Sequence, residues 1–129
     1  MATRILIVED SDDVRLSYVR WFEQAGFKVF QARDGEHALQ ISRTLRPDVV
    51  LLDIELPGID GYTLAEKWQG DPRMAKVPLV VLSGRTGDEH ERRSQKAGCL
   101  IALPKPCLPD MILAAVRGAL GPNPIIRAR

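Results

Sequence analysis

Short apolar runs alternate with amphipathic segments along the chain. Continuous runs rich in valine, isoleucine and leucine are typical of strands buried on both faces of a sheet. Five strands are predicted, at residues 4–8, 27–31, 49–53, 78–83 and 100–103. One helix is predicted after each strand, at about residues 12–25, 34–46, 60–69, 88–96 and 109–120. This alternation predicts an α/β domain whose parallel sheet is covered by helices on both faces.

The predicted helices have recognisable ends and inward faces. We expect Asp12 or Asp13 to cap the first helix. The second and third open at Asp34 and Asp60, and Pro47 should stop the second after residue 46. The 3.6-residue spacing of the first three helices predicts these inward positions: Val14, Tyr18, Trp21, Phe22, Ala25, Ala38, Ile41, Ser42, Leu45, Leu64, Ala65 and Trp68.

The fourth predicted helix, residues 88–96, contains no large apolar residue. Without a buried stripe it should be weakly anchored, and its local opening free energy should be low. His90 and the pair Arg92 and Arg93 are predicted to be solvated. The strand that follows ends at Pro104, which favours an edge position because proline lacks an N–H donor.

Length and composition narrow the range of possible functions. The 129 residues are enough for one domain, predicted at residues 1–121, with 122–129 a C-terminal tail or the start of a linker. A formal net charge of +1 gives no indication of direct nucleic-acid or membrane binding. Because no apolar run approaches the length of a signal-peptide core or a transmembrane helix, we expect a cytoplasmic protein. Cys99 and Cys107 flank the last strand, too far apart for a disulfide, so both are predicted to be reduced.

Polar residues stand where four predicted strands end. Glu9 and Asp10 follow the first strand, and Asp53 ends the third. Ser83 ends the fourth, and Lys105 follows the fifth. In a parallel sheet these ends meet at one edge, where open α/β sheets bind ligands. Three carboxylates there would raise one another's pKa unless a cation lay among them, which predicts a site for Mg²⁺ or Mn²⁺.

The same edge has the groups needed to accept a phosphoryl group. A carboxylate can act as the nucleophile, while a metal ion and a lysine neutralise the charge on the transferred group. A hydroxyl such as that of Ser83 can donate to a phosphoryl oxygen. The sequence therefore predicts phosphoryl transfer onto a carboxylate.

Four motifs in order make the chain resemble a receiver domain of a two-component response regulator, of the chemotaxis-type single-domain kind. They are the acidic pair Glu9 and Asp10, the phosphoacceptor pattern at residues 53–61, Ser83 with Gly84, and Lys105 with Pro106. The resemblance covers residues 4 to about 120. It implies a doubly wound, flavodoxin-like sheet of five parallel strands in the order 2-1-3-4-5.

The resemblance also implies a role for each site residue. Asp53 would be the phosphoacceptor. The metal would be held by Glu9, Asp10, Asp53 and the backbone carbonyl of Glu55. The phosphoryl group would be contacted by Ser83, Gly84 and Lys105, and the bond before Pro106 would be cis.

The function implied is a signalling switch rather than an enzyme. The phosphoryl group would come from a histidine kinase or a histidine phosphotransfer protein. The only chemistry would be phosphorylation and dephosphorylation of the chain itself. Glu55 and Arg85 are predicted to pair at the rim of the site and to slow attack by water a few-fold, because an exposed pair is worth only ~0.2–1 kcal/mol.

Ala102 departs from the family pattern. It stands where receiver domains usually have a tyrosine or phenylalanine that switches position. We therefore expect the signal to be controlled by order in the helix at residues 88–96. The output surface would be the face formed by that helix, the fifth strand and the fifth helix, and it would bind a downstream protein or a second copy of the chain.

Two other functions are compatible with parts of the sequence. Residues 5–14 contain the strand and D-x-D-x-[TV] pattern of haloacid-dehalogenase-like phosphatases, in which Asp10 would be the nucleophile. Such an enzyme would leave Asp53 and its Pro/Gly turn unexplained, and no acidic pair follows Lys105. The second alternative is a receiver-like adaptor that does not use phosphate, and the unusual Ala102 is the feature that favours it.

Overall fold

The apolar runs form one parallel sheet in the computed structural model, which describes residues 2–84, 87–98 and 101–121. The strands are β1 (Arg4–Val8), β2 (Lys28–Ala32), β3 (Val49–Asp53), β4 (Leu79–Ser83) and β5 (Ile101–Pro104). The helices are α1 (Asp12–Gln24), α2 (Gly35–Thr44), α3 (Gly61–Gln69), α4 (Asp88–Lys96) and α5 (Pro109–Leu120). The strand order is β2-β1-β3-β4-β5. The predicted fold class and sheet order are confirmed.

Helices cover both faces of the sheet. On one face, α1 and α5 bury Phe22, Ile112 and Val116 against the central strands. On the other face, α2 and α3 bury Ala38 and Leu64. Every residue of β3 and β4 is buried, whereas β2 and β5 lie at the edges and are partly exposed. Continuous apolar runs therefore became the central strands, as expected when helices pack on both sides.

The first helix differs from its prediction in its cap and in one inward position. Ser11 is the N-cap, and its hydroxyl accepts the Val14 N–H at 3.4 Å, so neither predicted aspartate has that role. Val14 is 38% exposed, while Val19 is buried. Val14 lines the open cavity beside Glu9 and Lys105, and the buried residues of α1 begin at Tyr18.

The second helix ends two residues earlier than predicted. Thr44 is its last residue, and Leu45 already has extended backbone angles, φ −117° and ψ 126°. Pro47 disfavours the helical region for the residue before it, and the chain leaves the helix ahead of that residue. The side chain of Arg46 then donates to the carbonyl oxygen of Arg73 at 2.9 Å, which ties this loop to the segment after α3.

The start of α3 lies directly against the end of β3. A Cβ added at Gly61 would lie 2.6 Å from the Cα of Ile54 and 3.0 Å from the carbonyl oxygen of Asp53. Contacts this short with backbone atoms cannot be accommodated without moving the chain. Glycine at this position therefore allows the helix to begin beside the strand that ends in Asp53.

The fourth helix is held by polar and aromatic contacts, so His90 and Arg93, which were predicted to be solvated, are only partly exposed. The Arg93 guanidinium carbon lies 4.3 Å from the centre of the Tyr62 ring, and its Nη1 lies 3.6 Å from Oδ2 of Asp60. The Tyr62 hydroxyl is hydrogen-bonded to Nδ1 of His90. Tyr62 is only 1% exposed, so these contacts fasten α4 to a buried residue of α3.

Parts of some predictions fall outside the described residues. These are Arg85, Cys99, the first residue of the predicted fifth strand and residues 122–129. Cys107 is described; it is a free thiol whose pKa is raised by burial. Within the described ranges no helix has the length and apolar character needed to cross a membrane.

Replacing Ser42 with alanine should destabilise the domain. The indole Nε1–H of the buried Trp68 donates to the Ser42 hydroxyl at 2.9 Å, and that hydroxyl donates to the carbonyl of Leu39 at 3.0 Å. Removing the hydroxyl leaves a buried N–H without its acceptor, which costs about 1–3 kcal/mol. Urea unfolding followed by circular dichroism measures this, with Thr44→Ala on the exposed side of α2 as the control. A loss below about 0.5 kcal/mol, the usual range for surface substitutions, would contradict the prediction.

Candidate functional site

The backbone extends the sheet just beyond its strands and so fixes where the site residues emerge. The Glu9 N–H donates to the carbonyl of Ala32 at 3.1 Å. The Lys105 N–H donates to the carbonyl of Ser83 at 2.8 Å. The predicted polar residues therefore lie at the carboxyl edge of the sheet, where the ends of β1, β3, β4 and β5 meet.

Three carboxylates come together at this edge. One oxygen each from Glu9, Asp10 and Asp53 lies within 4.8 Å of the other two. Glu9 is 3% exposed and Asp53 4%, while Asp10 is open to solvent. A set of close oxygen donors with one open side suits Mg²⁺, which keeps several water or phosphate ligands beside one or two carboxylates. The donor set fits a hard divalent cation.

Asp53 has a fixed position between two donors. Lys105 Nζ lies 3.0 Å from its Oδ2, and the backbone N–H of Glu55 donates to its Oδ1 at 3.0 Å. Burial alone would lower the pKa of the Lys105 ammonium, but the hydrogen bond to Asp53 and the charges of Asp53, Glu9 and Glu55 outweigh it and raise that pKa. Lys105 is therefore a stable positive charge beside Asp53.

The surroundings of Glu9 change the pKa of its carboxyl group. Burial and the neighbouring Asp53 raise its pKa from 4.5 to about 7, although the hydrogen bond from the Ser11 N–H to its Oε2 at 2.9 Å opposes this. A proton on Glu9 relieves the repulsion among the carboxylates. A bound cation would do the same and would displace that proton.

Mg²⁺ binding should consequently depend on pH. Below about pH 7 the ion must displace the Glu9 proton, so its apparent affinity should rise up to roughly tenfold per pH unit and level off above that pH. The stability of the metal-free chain should change with pH in the opposite direction to its Mg²⁺ affinity. The raised pKa stabilises the fold most below pH 4.5, and this contribution is lost as the pH rises through about 7.

Calorimetric titration of Mg²⁺ in buffers of different ionisation enthalpy counts the protons released. Glu9→Gln, which has no proton to release, is the control and should bind more weakly with a flat pH profile between about pH 5.5 and about pH 8. Equal Mg²⁺ affinity of the unaltered chain at both ends of that range would contradict the prediction.

The loops around the site are joined by the side chain of Glu55. Its Oε1 accepts the N–H of Gly84 at 2.8 Å, and a Cβ at Gly84 would lie 3.2 Å from the same oxygen. Arg85 lies outside the described residues, so the pairing of Glu55 with Arg85 stays a prediction. The hydrogen bond from Gly84 to Glu55 links the loop that follows β3 to the loop that follows β4.

The remaining predicted residues lie on β5, just after β5, or at the end of β4. Ala102 is exposed and is the Cα partner of Val81 in β4. The peptide bond between Lys105 and Pro106 is cis, the isomer that the resemblance implies. The hydroxyl-bearing Ser83 is buried at the end of β4.

Sequence reasoning overlooked two features of the site. One is Arg15, whose guanidinium donates to the carbonyl of Glu9 at 2.9 Å. Its three-residue spacing from Asp12, with which it forms an ion pair, was the available signal. The other is the attachment of α4 to Tyr62, which pattern analysis could not find because the contact joins residues far apart in the chain.

The sequence of this chain is similar to those of known response regulators. The response regulator receiver domain family matches residues 5–117. Response regulator PleD of Caulobacter vibrioides is 33% identical over 118 residues, which is 91% of this chain but only 26% of PleD. Polar-differentiation response regulator DivK of Brucella anthropi is 26% identical over 121 residues, 94% of this chain and 98% of DivK. The chain thus spans about a quarter of the length of PleD and nearly all of DivK.

Structural similarity agrees with the sequence matches. The chemotaxis response regulator CheY4 of Vibrio cholerae superposes with a TM-score of 0.88 at 25% identity, covering 93% of this chain and 100% of that one. The sheet order and the acidic cluster at the carboxyl edge are those expected from the resemblance. This chain therefore belongs to the response regulator receiver domain family.

Proposed function

We propose that the chain is a phosphorylation-dependent signalling switch in which Asp53 accepts a phosphoryl group with the help of Mg²⁺ or Mn²⁺. The observation that carries this proposal is the placement of Asp53 between Lys105, 3.0 Å away, and the carboxylates of Glu9 and Asp10. Membership of the receiver family supports phosphoryl-accepting signalling. The histidine kinase or phosphotransfer protein as donor is part of the proposal.

The chemistry proposed for Asp53 is a direct displacement. A carboxylate oxygen of Asp53 forms a bond to phosphorus as the bond from phosphorus to the donor breaks, and the donor leaves with that electron pair. The Lys105 ammonium and the Ser83 hydroxyl are suited to bind the oxygens of the incoming group. The N–H of Gly84, now bonded to Glu55, is a third donor.

The metal would be held by Glu9, Asp10, Asp53 and the backbone carbonyl of Glu55. When bound, Mg²⁺ neutralises charge on the phosphoryl oxygens. The residues of this chain set the site: Glu9 gives up its proton, and Asp10 presents an exposed carboxylate. The proposed product is an aspartyl phosphate that only its own slow hydrolysis removes, with Glu55 and Arg85 as proposed modulators of that rate.

The phosphatase alternative has less support from the geometry. Lys105 pairs with Asp53 and not with Asp10, and Asp53 also accepts a backbone N–H. These contacts favour Asp53 over Asp10 as the proposed phosphoacceptor. A phosphate-independent adaptor function would not explain why three carboxylates are clustered at this edge.

The phosphodonor is proposed to dock beside α1. A cavity of about 500 Å³ lies next to Glu9 and Lys105. Its other walls are mostly apolar: Val14, Ser17, Tyr18, Trp21, Leu82, Pro106 and Cys107. An apolar cavity beside a charged reaction centre provides a place for a side chain of the donor protein.

The output surface is proposed to be the face of α4, β5 and α5. Met111 is 52% exposed and Leu108 68%, and Ala102 of β5 is also exposed. Exposed apolar side chains near an edge strand favour a protein partner, either a downstream protein or a second copy.

The receiver domain is proposed to end near Gly121, with residues 122–129 a tail or the start of a linker.

Labelling with a small phosphodonor tests the function. The chain is incubated with acetyl phosphate and Mg²⁺, and intact mass spectrometry follows the product. We expect one phosphoryl group per chain, none when EDTA is present, and its slow loss after the donor is removed. Continuous release of inorganic phosphate with no labelled protein would instead favour a phosphatase.

A further inference from the structure

An arginine of α1 is hydrogen-bonded to the loop that carries Glu9 and Asp10, the two acidic residues that follow β1. Arg15 donates from Nη1 to the carbonyl oxygen of Glu9 at 2.9 Å. It donates from Nε to Oε1 of Gln31 at 2.8 Å and from Nη2 to Oδ1 of Asp12 at 2.6 Å. Its side chain is only 12% exposed. The guanidinium therefore joins the end of β1, the edge strand β2 and the first turn of α1.

Glu9 is held on several sides as a result. Its N–H donates to the carbonyl of Ala32 at 3.1 Å, and its own carbonyl accepts from Arg15. Its carboxylate oxygen Oε2 accepts the N–H of Ser11 at 2.9 Å. Both peptide groups of Glu9 are thus hydrogen-bonded, and the bond from Ser11 holds its carboxylate.

We infer that Arg15 is a positioning residue for the metal site. It acts through the Glu9 carbonyl and does not itself touch the carboxylate cluster. Three carboxylates within 4.8 Å of one another repel, and a loop free to relax would move them apart. Groups that hold ligands in place typically change metal affinity by about 10–100-fold. The inference rests on the proposed function, because it assumes that Glu9 and Asp10 hold the cation.

Loss of the Arg15 charge and loss of its hydrogen bonds to the loop should have opposite effects on Mg²⁺ affinity. A positive charge near the carboxylates weakens their attraction for a cation, so removing the charge alone would tighten Mg²⁺ binding. Loss of the fixed loop would weaken it. Arg15→Lys keeps the charge but lacks the planar fork that reaches three acceptors, whereas Arg15→Met loses both.

The experiment is a calorimetric titration of Mg²⁺ into the unaltered chain and the two Arg15 variants. We expect both variants to bind about tenfold or more weakly. Arg20 on the same helix is exposed, so Arg20→Lys and Arg20→Met are matched controls that should bind as the unaltered chain does. Arg15→Lys with unchanged affinity, or Arg15→Met with tighter binding, would overturn the inference.

A second measurement does not involve the metal. In the metal-free chain the amide of Ser11 is bonded to the Glu9 carboxylate, so its hydrogen exchange reports on the loop. Exchange there should accelerate in Arg15→Lys while amides of β4 stay unchanged, and equal rates would count against positioning. If the Arg15 variants fail to fold, Gln31→Leu removes one anchor from the exposed side and should give a smaller change in the same direction; no change would overturn the inference.

The outcome also separates this inference from the proposed function. Asp10→Asn should lose Mg²⁺ binding whether or not Arg15 matters. Normal binding by the unaltered chain, loss in Asp10→Asn and no effect at Arg15 would leave the function supported and the inference refuted. Absence of Mg²⁺ binding by the unaltered chain would overturn both.

Discussion

Asp53→Asn should abolish the incorporation of phosphate from acetyl phosphate. The substitution keeps the shape of the side chain but removes the charged nucleophile, and Lys105 loses the negative charge that now lies 3.0 Å away. The unaltered chain should gain one phosphoryl group and the variant none, by intact mass. Because a nucleophile that forms the covalent bond has no substitute in the mechanism, the expected effect is complete loss rather than a reduced rate.

The control for this prediction lies at the other end of the same strand. Asp48 accepts the backbone N–H of Arg4 at 2.8 Å, on the edge of the sheet opposite to the site. Asp48→Asn should be labelled as fully as the unaltered chain. Labelling of Asp53→Asn to the same extent would show that another group is the phosphoacceptor, and Asp10 would be the next candidate.

Tyr62→Ala should release α4 from the rest of the domain. Its ring is buried, so the truncation itself should cost about 3–5 kcal/mol of unfolding free energy. The variant also loses the cation–π contact with Arg93 and the hydrogen bond to His90. Each is worth about 1 kcal/mol, so amides of α4 should exchange with solvent about 30-fold faster by local opening.

Two neighbouring arginines on α4 give a matched test of the same contact. Arg93 lies against the Tyr62 ring, whereas Arg92 is exposed. Arg93→Ala should accelerate exchange in α4 about fivefold, from the loss of about 1 kcal/mol, and Arg92→Ala should not. Equal exchange in α4 for Arg93→Ala and the unaltered chain would show that this contact does not hold the helix.

The contacts of Tyr62 with Arg93 and His90 attach α4 to α3, yet we still expect the local opening free energy of α4 to be low. Ser94 is the one buried residue of the helix, and its hydroxyl has no hydrogen-bond partner among the described residues. A buried hydroxyl without a partner costs about 1–3 kcal/mol. The helix therefore combines a specific attachment at Tyr62 with an unfavourable one at Ser94. A change in exchange in α4 on adding a beryllofluoride phosphate mimic would support its proposed role in output.

The attachment at Tyr62 also lies close to Asp53, the proposed phosphoacceptor. Gly61 packs against Ile54 and the carbonyl of Asp53, and Tyr62 is the next residue of α3. A displacement at the end of β3 would reach α4 through this one turn of helix. This route does not require an aromatic side chain at Ala102.

Much of the fold was predictable from the sequence because it depends on local patterns. A strand buried on both faces needs a continuous apolar run, and residues 5–8, 49–52 and 79–82 have one. An amphipathic helix needs a 3.6-residue repeat, which α2 and α3 show. Once the strands are parallel, the residues that follow them must share one edge. The convergence of Glu9, Asp10, Asp53, Ser83 and Lys105 could therefore be predicted without coordinates.

The choice of helix cap shows where local patterns end. Ser11, Asp12 and Asp13 are all good N-cap residues, and the sequence alone does not rank them. The cap must have extended backbone angles, and Ser11 has φ −75° and ψ 118°. The path of the backbone between the end of β1 and the start of α1 gives this conformation to Ser11, while Asp12 and Asp13 are already helical.

Only the tertiary structure decided which polar groups meet across the domain. Arg15 reaches Gln31, Trp68 reaches Ser42, and Tyr62 receives Arg93. The partners in each pair are 16 to 31 residues apart in the chain, so their contact depends on how each helix is placed on the sheet. Hydrophobic periodicity determines which face of a helix is buried, but a hydrogen bond or a cation–π contact depends on distances of a few ångströms between separate elements.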